Sequence, residues 1–114
     1  MPPSVEDRLR DILDAIAEIE ELLSGYGFDR FSGDKTGRMA TERYLEVICE
    51  ATRYLTDDVK KAAPGIEWQR MIDFGNQLRH AYHATDASIV WNIVRNHLPP
   101  LKSFVERRVR ASGS

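Results

Sequence analysis

Residues 4–25 read SVEDRLRDILDAIAEIEELLSG and carry a clear helical pattern. Apolar side chains recur there every three or four residues, which places them along one side of a helix. They are Val5, Leu9, Ile12, Leu13, Ile16, Ile19, Leu22 and Leu23. Ser4 followed by Asp7 predicts a capping box at the start of this helix, and Gly25 predicts its end. Because one apolar side must be covered by other elements, the stretch favours packing of helix against helix.

Three more helices are predicted downstream. After a connector with one helical turn at residues 26–35, a long second helix runs from about residue 34 to residue 61, with Met39 on its apolar stripe. A third helix, expected to be the most buried one, spans about residues 67–81. Thr85 and Asp86 cap a fourth helix, which Pro99 and Pro100 must bend or interrupt. The prediction is an all-α, antiparallel, up-and-down four-helix bundle with a kinked last helix.

Length and composition agree with one domain. The chain has 114 residues, of which 42% are apolar and 30% are charged, so it can build a single modest core. We expect one helical domain over residues 1–110, and a disordered tail or a vector-derived remnant at residues 111–114. No apolar run is long enough to span a membrane and no signal peptide is recognisable, which predicts a cytoplasmic protein without a membrane partner.

Charge is distributed unevenly along the chain. The net charge is −2, which argues against extensive nucleic-acid binding. Residues 1–65 hold 9 Lys and Arg against 14 Asp and Glu, whereas residues 66–114 hold 7 against 4 and all three histidines. The second half is therefore where an anion site is expected. The lone Cys49 has no partner for an internal disulfide and is predicted to be a small buried side chain.

The densest polar cluster lies at the end of the third helix, in the stretch GNQLRHAY at residues 75–82. At helical spacing, Asn76, His80 and His83 share one stripe, and Gly75, Arg79 and Tyr82 share the adjacent one. An imidazole that titrates near neutrality and a guanidinium with a planar fork of donors can together bind a phosphate or activate a hydroxyl. On spacing alone, such a cluster more often serves capping and packing.

Neither a metal nor a cofactor is predicted. Glu42, Glu46 and Glu50 follow one another at intervals of four on the second helix, but no histidine accompanies them there. Such a row is usually a solvated helix face. Gly75 inside the third helix costs about 1 kcal/mol relative to alanine, which indicates either the close approach of another backbone or the loss of a larger side chain.

Several short motifs follow one another along nearly the whole chain. They are Arg8–Leu13 early, Glu46–Ala51 in the second helix, Ile66–Trp68 opening the third, His80–Tyr82 at its end, and Ile89–Trp91 with Leu98–Leu101 in the fourth. In this order they resemble the HepT family of the HEPN superfamily. The resemblance implies a small all-helical homodimer that forms a toxin–antitoxin pair with a minimal nucleotidyltransferase called MntA. It also implies a metal-independent endoribonuclease, which the partner silences by transferring AMP to a tyrosine.

The family motif consists of an arginine, usually followed by asparagine, and then a histidine two residues before the tyrosine. Here Asn76, His80 and Tyr82 match the motif, whereas Gly75 stands at the position of the arginine. The resemblance therefore implies catalytic roles for His80, Asn76 and Tyr82. Tyr82 either orients the phosphate or serves as the hydroxyl that receives AMP. Arg79, one turn after Gly75, is the candidate substitute for the missing cation.

Three functions remain open from the sequence. The first is a ribonuclease toxin that acts on RNA, weakened by Gly75 and neutralised by its cognate MntA-type nucleotidyltransferase. The alternative is a catalytically inactive nucleotide-binding or docking partner of that nucleotidyltransferase. The third is a structural dimer without chemistry.

Overall fold

The computed structural model describes residues 3–80 and 86–113, and all regular structure in these ranges is helical. The helices are α1 (Val5–Leu22), α2 (Phe28–Gly33), α3 (Lys35–Arg53), α4 (Asp57–Lys61), α5 (Trp68–Arg79), α6 (Ala87–Asn92) and α7 (Leu98–Gly113), with a π-helical segment (Ile93–His97) joining the last two. None of the helices in these ranges is long and apolar enough to cross a membrane. The predicted all-α bundle is confirmed.

The ends of α1 follow the sequence signals. Ser4 Oγ accepts a hydrogen bond from the Asp7 N–H, and Asp7 Oδ2 accepts one from the Ser4 N–H, each at 3.0 Å. This reciprocal pair is the predicted capping box, and it satisfies two backbone donors that a helix start leaves open. At the other end, Gly25 has φ of +78°, a left-handed conformation that a residue without a side chain adopts at little cost.

The core lies where α1 packs against α3 and α7. Both contacts are antiparallel. The Arg8 guanidinium, near the start of α1, lies over the ring of Tyr54 just after α3, and Glu20, near the end of α1, binds Lys102 near the start of α7. The fully buried side chains of this core include Ile12, Ile16, Leu45, Ile48, Leu101 and Val105.

The expectation that the third helix is the most buried one is wrong. In α5 the buried residues are Met71, Phe74 and Gly75, whereas α3 buries seven residues. The reason is position: α1 is covered by α3 on one side and by α7 on another, whereas α5 leaves a broad face uncovered.

The second helix is shorter than the sequence predicted. It ends at Arg53, and α4 starts afresh after Thr56, whose extended backbone has ψ of 159°. The break lets Leu55 and Val59 both reach the core, which explains why a continuous apolar period misled the prediction. Met39 is also misassigned, because its side chain is 61% exposed.

The connector between α1 and α3 contains the short helix α2. Its Phe31 is fully buried and packs at 5.1 Å, centroid to centroid, against the ring of Trp91 in α6. Asp34 then caps α3, since its Oδ1 accepts a hydrogen bond from the Gly37 N–H at 2.9 Å. Its Oδ2 accepts another from the Tyr26 hydroxyl at 2.6 Å, which ties the connector to the start of α3.

The prolines of the last helix produce a π turn instead of an interruption. Neither Pro99 nor Pro100 has an N–H to donate to the carbonyl four residues earlier. The preceding turn widens, and the Leu98 N–H bonds to the carbonyl of Ile93. The helix resumes as α7 (Leu98–Gly113). Asp86 caps α6 by accepting the Ser88 N–H, while Thr85 lies outside the described residues.

Candidate active site at the end of α5

The polar cluster predicted from the sequence lies on the last turn of α5. Asn76, Arg79 and His80 are all exposed. His80 is the C-terminal cap, and its N–H donates to the carbonyl of Asn76 at 3.2 Å. Because they are four residues apart, Asn76 and His80 lie on the same side of the helix end. Tyr82 and His83 are outside the described residues.

Arg79 does not stand alone at this surface. Its Nη2 donates to Glu50 Oε2 in α3 at 2.6 Å, a contact between residues 29 positions apart in the sequence. The two side chains are 38% and 36% exposed, respectively. The guanidinium predicted to replace the missing motif cation is thus partly neutralised by a carboxylate.

Gly75 explains why α3 and α5 come so close. A Cβ built on it would lie 2.5 Å from the Cβ of Cys49, a distance that real side chains do not adopt. Of the two explanations that the sequence left open, the structure supports close approach of another helix. The motif position that carries arginine in the family is therefore buried against α3 in this chain, and it does not face the surface where His80 lies.

Cys49 is inert in this setting. Burial raises the pKa of its thiol to about 12; a backbone hydrogen bond with Gly75 opposes the rise, and the nearby charges of Glu46 and Glu50 add to it. The thiol stays protonated at neutral pH, which removes it from the candidate nucleophiles. The prediction of a small buried side chain is confirmed.

A groove of about 380 Å³ runs beside Arg79 between α1, α3 and α5. It is lined by three arginines and three carboxylates, namely Arg8, Asp11, Arg43, Glu46, Glu50 and Arg79, together with Val47 and Ala51. Arg43 and Glu46 pair within it at 3.4 Å. No sequence pattern predicted this groove, because the row of Glu42, Glu46 and Glu50 is typical of a solvated face and Arg8 is far away along the chain.

A second groove, of about 370 Å³, lies on another side of α5, against α6 and the π-helical segment. Its lining includes Phe74, Gln77, Ile89 and His97. His97 Nδ1 is 3.6 Å from a Glu67 carboxylate oxygen, so this histidine does not join His80. The two grooves give α5 one charged flank and one largely apolar flank.

Comparison with known proteins identifies the family of this chain. The family model described as "Ribonuclease HepT-like" matches residues 12–108. A "Probable ribonuclease HepT" of Thermococcus cleftensis is 36% identical over 107 residues, which cover 94% of this chain and 97% of the relative. A protein of Methanocaldococcus jannaschii named as a candidate RNase is 34% identical over 98 residues, or 86% of this chain and 90% of the relative. No solved structure matches the chain. The chain therefore belongs to the HepT-like ribonuclease family.

Proposed function

We propose that this chain is the ribonuclease toxin of a two-protein toxin–antitoxin pair and that it cleaves RNA without a metal ion. The observation that carries the proposal is the exposed His80 and Asn76 beside Arg79 at the end of α5, in a chain of the HepT-like family. An imidazole supplies a base near neutral pH, and a guanidinium supplies a permanent cation. Both groups accelerate the cleavage of RNA by its own 2′-hydroxyl.

His80 is assigned as the base in this scheme. It takes the proton from a ribose 2′-hydroxyl, and the oxygen attacks the adjacent phosphorus. The bond from phosphorus to the 5′-oxygen breaks, which leaves a 2′,3′-cyclic phosphate, and the departing 5′-oxygen takes a proton from the imidazolium or from water. General base help of this kind contributes about 10²–10⁴-fold. Asn76 and Arg79 stabilise the charge on the phosphoryl oxygens, with Arg79 weakened as a cation by Glu50.

Tyr82 is assigned as the modified residue. A cognate MntA-type nucleotidyltransferase transfers AMP to its hydroxyl, and the added phosphate carries negative charge three residues along the chain from Arg79. That charge engages the guanidinium and repels RNA, which is a sufficient physical route to inactivation. A homodimer brings a second copy of the site into the same assembly.

A second candidate function follows from Gly75. The motif position lacks a cation, and its contact with Cys49 leaves no room for one without movement of α3. This observation favours a catalytically inactive nucleotide-binding or docking partner of the nucleotidyltransferase. Such a protein would bind its partner but leave RNA intact.

The ribonuclease proposal is tested on a fluorescent RNA oligonucleotide in the presence of a metal chelator. His80→Ala should reduce the cleavage rate by about 10²-fold or more, because the base is lost. His97→Ala is the matched control, since it removes an imidazole from the other groove. If both variants cleave like the wild type, or if the folded wild type does not cleave, the proposal fails and the docking function is favoured.

AMP transfer is tested by incubating the chain with the cognate nucleotidyltransferase, ATP and magnesium. Mass spectrometry should find the label on Tyr82, and Tyr82→Phe should abolish it. Tyr54→Phe is the control, because Tyr54 is 53% exposed and is the most exposed tyrosine among the described residues. A label on Tyr54 with Tyr82 unmodified would contradict the assignment.

A further inference from the structure

The contact between Arg79 and Glu50 joins the candidate site to α3. It uses one donor of the guanidinium, Nη2, whereas an arginine carries five N–H donors in a rigid planar fork. A phosphate can therefore bind the remaining N–H donors of the Arg79 guanidinium while Nη2 stays bound to Glu50. The contact fixes the direction of the side chain without occupying the whole of it.

The pair contributes little to the stability of the fold. Both side chains are more than one third exposed, and ion pairs of this kind have only a small effect because water screens them. A protein with a substitution at Glu50 should thus still fold. The Arg79–Glu50 ion pair instead affects where the Arg79 guanidinium lies and how strongly it attracts an anion.

The backbone under this pair is held firmly. Glu50 follows Cys49, which is in contact with Gly75, and Arg79 lies one turn after Gly75. The close approach of α3 and α5 at Gly75 determines how far the Glu50 side chain must extend from α3 to reach Arg79 on α5. A charged partner at this position therefore meets Arg79 without a rearrangement of either helix.

We propose that Glu50 is a positioning residue, which orients the Arg79 guanidinium at the end of α5 and lowers its attraction for a phosphate of the RNA substrate. The inference rests on the proposed function, because it assigns Arg79 to the substrate phosphate. Glu50 then has two separable effects. Its acceptor oxygen orients the Arg79 guanidinium, and its negative charge weakens the attraction between that guanidinium and the RNA phosphate.

Two substitutions separate these effects. Glu50→Gln keeps an acceptor oxygen at the same reach and removes the charge, so it should lower the KM for RNA by about fivefold with kcat little changed. Glu50→Ala removes the acceptor oxygen as well. The Arg79 guanidinium is then no longer oriented toward the phosphate, so this variant should lower kcat. A residue that only supports the fold would not split kcat from KM in this way.

Glu46→Gln is the matched control. Glu46 lies one turn earlier on α3, lines the same groove and pairs with another arginine, Arg43. The two variants change the net charge equally, so a general electrostatic effect on RNA binding would be the same in both. We expect tighter binding only for Glu50→Gln, and we expect the gain to disappear when Arg79→Ala is added.

A binding measurement keeps this inference separate from the ribonuclease proposal. Anisotropy with a 2′-O-methyl RNA oligonucleotide, which lacks the attacking hydroxyl, reports affinity whether or not the chain is an enzyme. If no variant cleaves RNA but Glu50→Gln binds it more tightly than Glu46→Gln, the effect of the Glu50 charge on Arg79 stands and the ribonuclease proposal fails. If cleavage depends on His80 while Glu50→Gln binds no more tightly than Glu46→Gln, the positioning role is overturned.

Discussion

At the scale of single residues, Gly75 shows how packing overrides a motif. A side chain in the middle of a helix normally stabilises it relative to glycine, by about 1 kcal/mol for alanine. Here that gain is opposed by Cys49, whose Cβ occupies the space that a new Cβ would need. Neither atom is at the end of a flexible chain, so relief requires the two helices to move apart.

We therefore expect Gly75→Ala to destabilise the protein by about 1–2 kcal/mol, since overpacking exceeds the gain in helix propensity. Denaturant unfolding of the wild type and the variant measures this difference in the free energy of unfolding. Gly33→Ala is the control, because a Cβ at this helical glycine meets nothing within 4 Å. In the double variant Cys49→Gly with Gly75→Ala the cost should be smaller than the sum of the single changes, and simple additivity would contradict the contact.

The same geometry determines what an arginine at position 75 would do. Sequence reasoning predicts that Gly75→Arg restores a cation and raises activity. The structure adds that this side chain must first displace Cys49. A gain in activity is therefore expected only for a variant that also makes room on α3.

At the scale of elements, the junction of α2 and α3 depends on one carboxylate. Asp34 caps α3 and also accepts the Tyr26 hydroxyl. The hydrogen bond from Tyr26, followed by the one from the Gly37 backbone, lowers the pKa of Asp34 below 3.8. The same bond to Asp34 is the largest cause that raises the pKa of Tyr26 above 10.0.

These two shifts define the pH range in which the junction is stable. The folded pKa of Asp34 is depressed, so its contribution is present above 3.8 and is lost as the pH falls through the folded value. Tyr26→Phe should lower the urea midpoint near neutral pH, and the difference from the wild type should shrink below 3.8. Tyr44→Phe, which removes a hydroxyl elsewhere on α3, should show no such trend. A difference that persists in acid would show that Tyr26 acts through packing alone.

The last helix illustrates a second effect at this scale. Pro99 and Pro100 remove two backbone donors, yet the helix continues because the turn before them widens. Leu98 and Leu101, on either side of the prolines, are both buried against the core. Burial of these side chains outweighs the missing hydrogen bonds, so the chain bends instead of ending the helix.

At the scale of the whole molecule, the groove between α5 and α6 carries one well-exposed apolar side chain. Ile89 is 48% exposed at the edge of the groove between α5 and α6, where Phe74 and Ile93 also lie. This face belongs to the basic second half of the chain, and we expect its helices to line the dimer cleft. A second copy would cover Ile89 and bring another His80 into the assembly.

We expect a homodimer at micromolar concentration and expect Ile89→Glu to convert it into a monomer, because a buried charge without a partner opposes association. Light scattering measures the molar mass of the wild type and of the Ile89→Glu variant in solution. Met39→Glu is the control, since Met39 is even more exposed, at 61%, but lies on α3 and outside this groove. A wild-type chain that is strictly monomeric would exclude the dimer, and an equal effect of both substitutions would exclude this face.

The sequence by itself determined the all-α class, the first helix and the family. The stripe from Val5 to Leu23 and the signals at Ser4 and Asp86 are local, so they depend on neighbours within a few residues. The break at Thr56 escaped prediction because it serves Leu55 and Val59, which both turn toward a core that no local pattern describes.

Only the tertiary structure decided what the motif residues touch. Gly75 and Cys49 meet, and Arg79 meets Glu50, across two helices that are separated by a break and a short helix. Helical periodicity indicates which residues share a side but does not reveal which partner that side will face. The physical reason is that helix spacing follows from the smallest side chains at the crossing. The position of a charge at the candidate site was therefore settled by a glycine and a cysteine rather than by the charged residues.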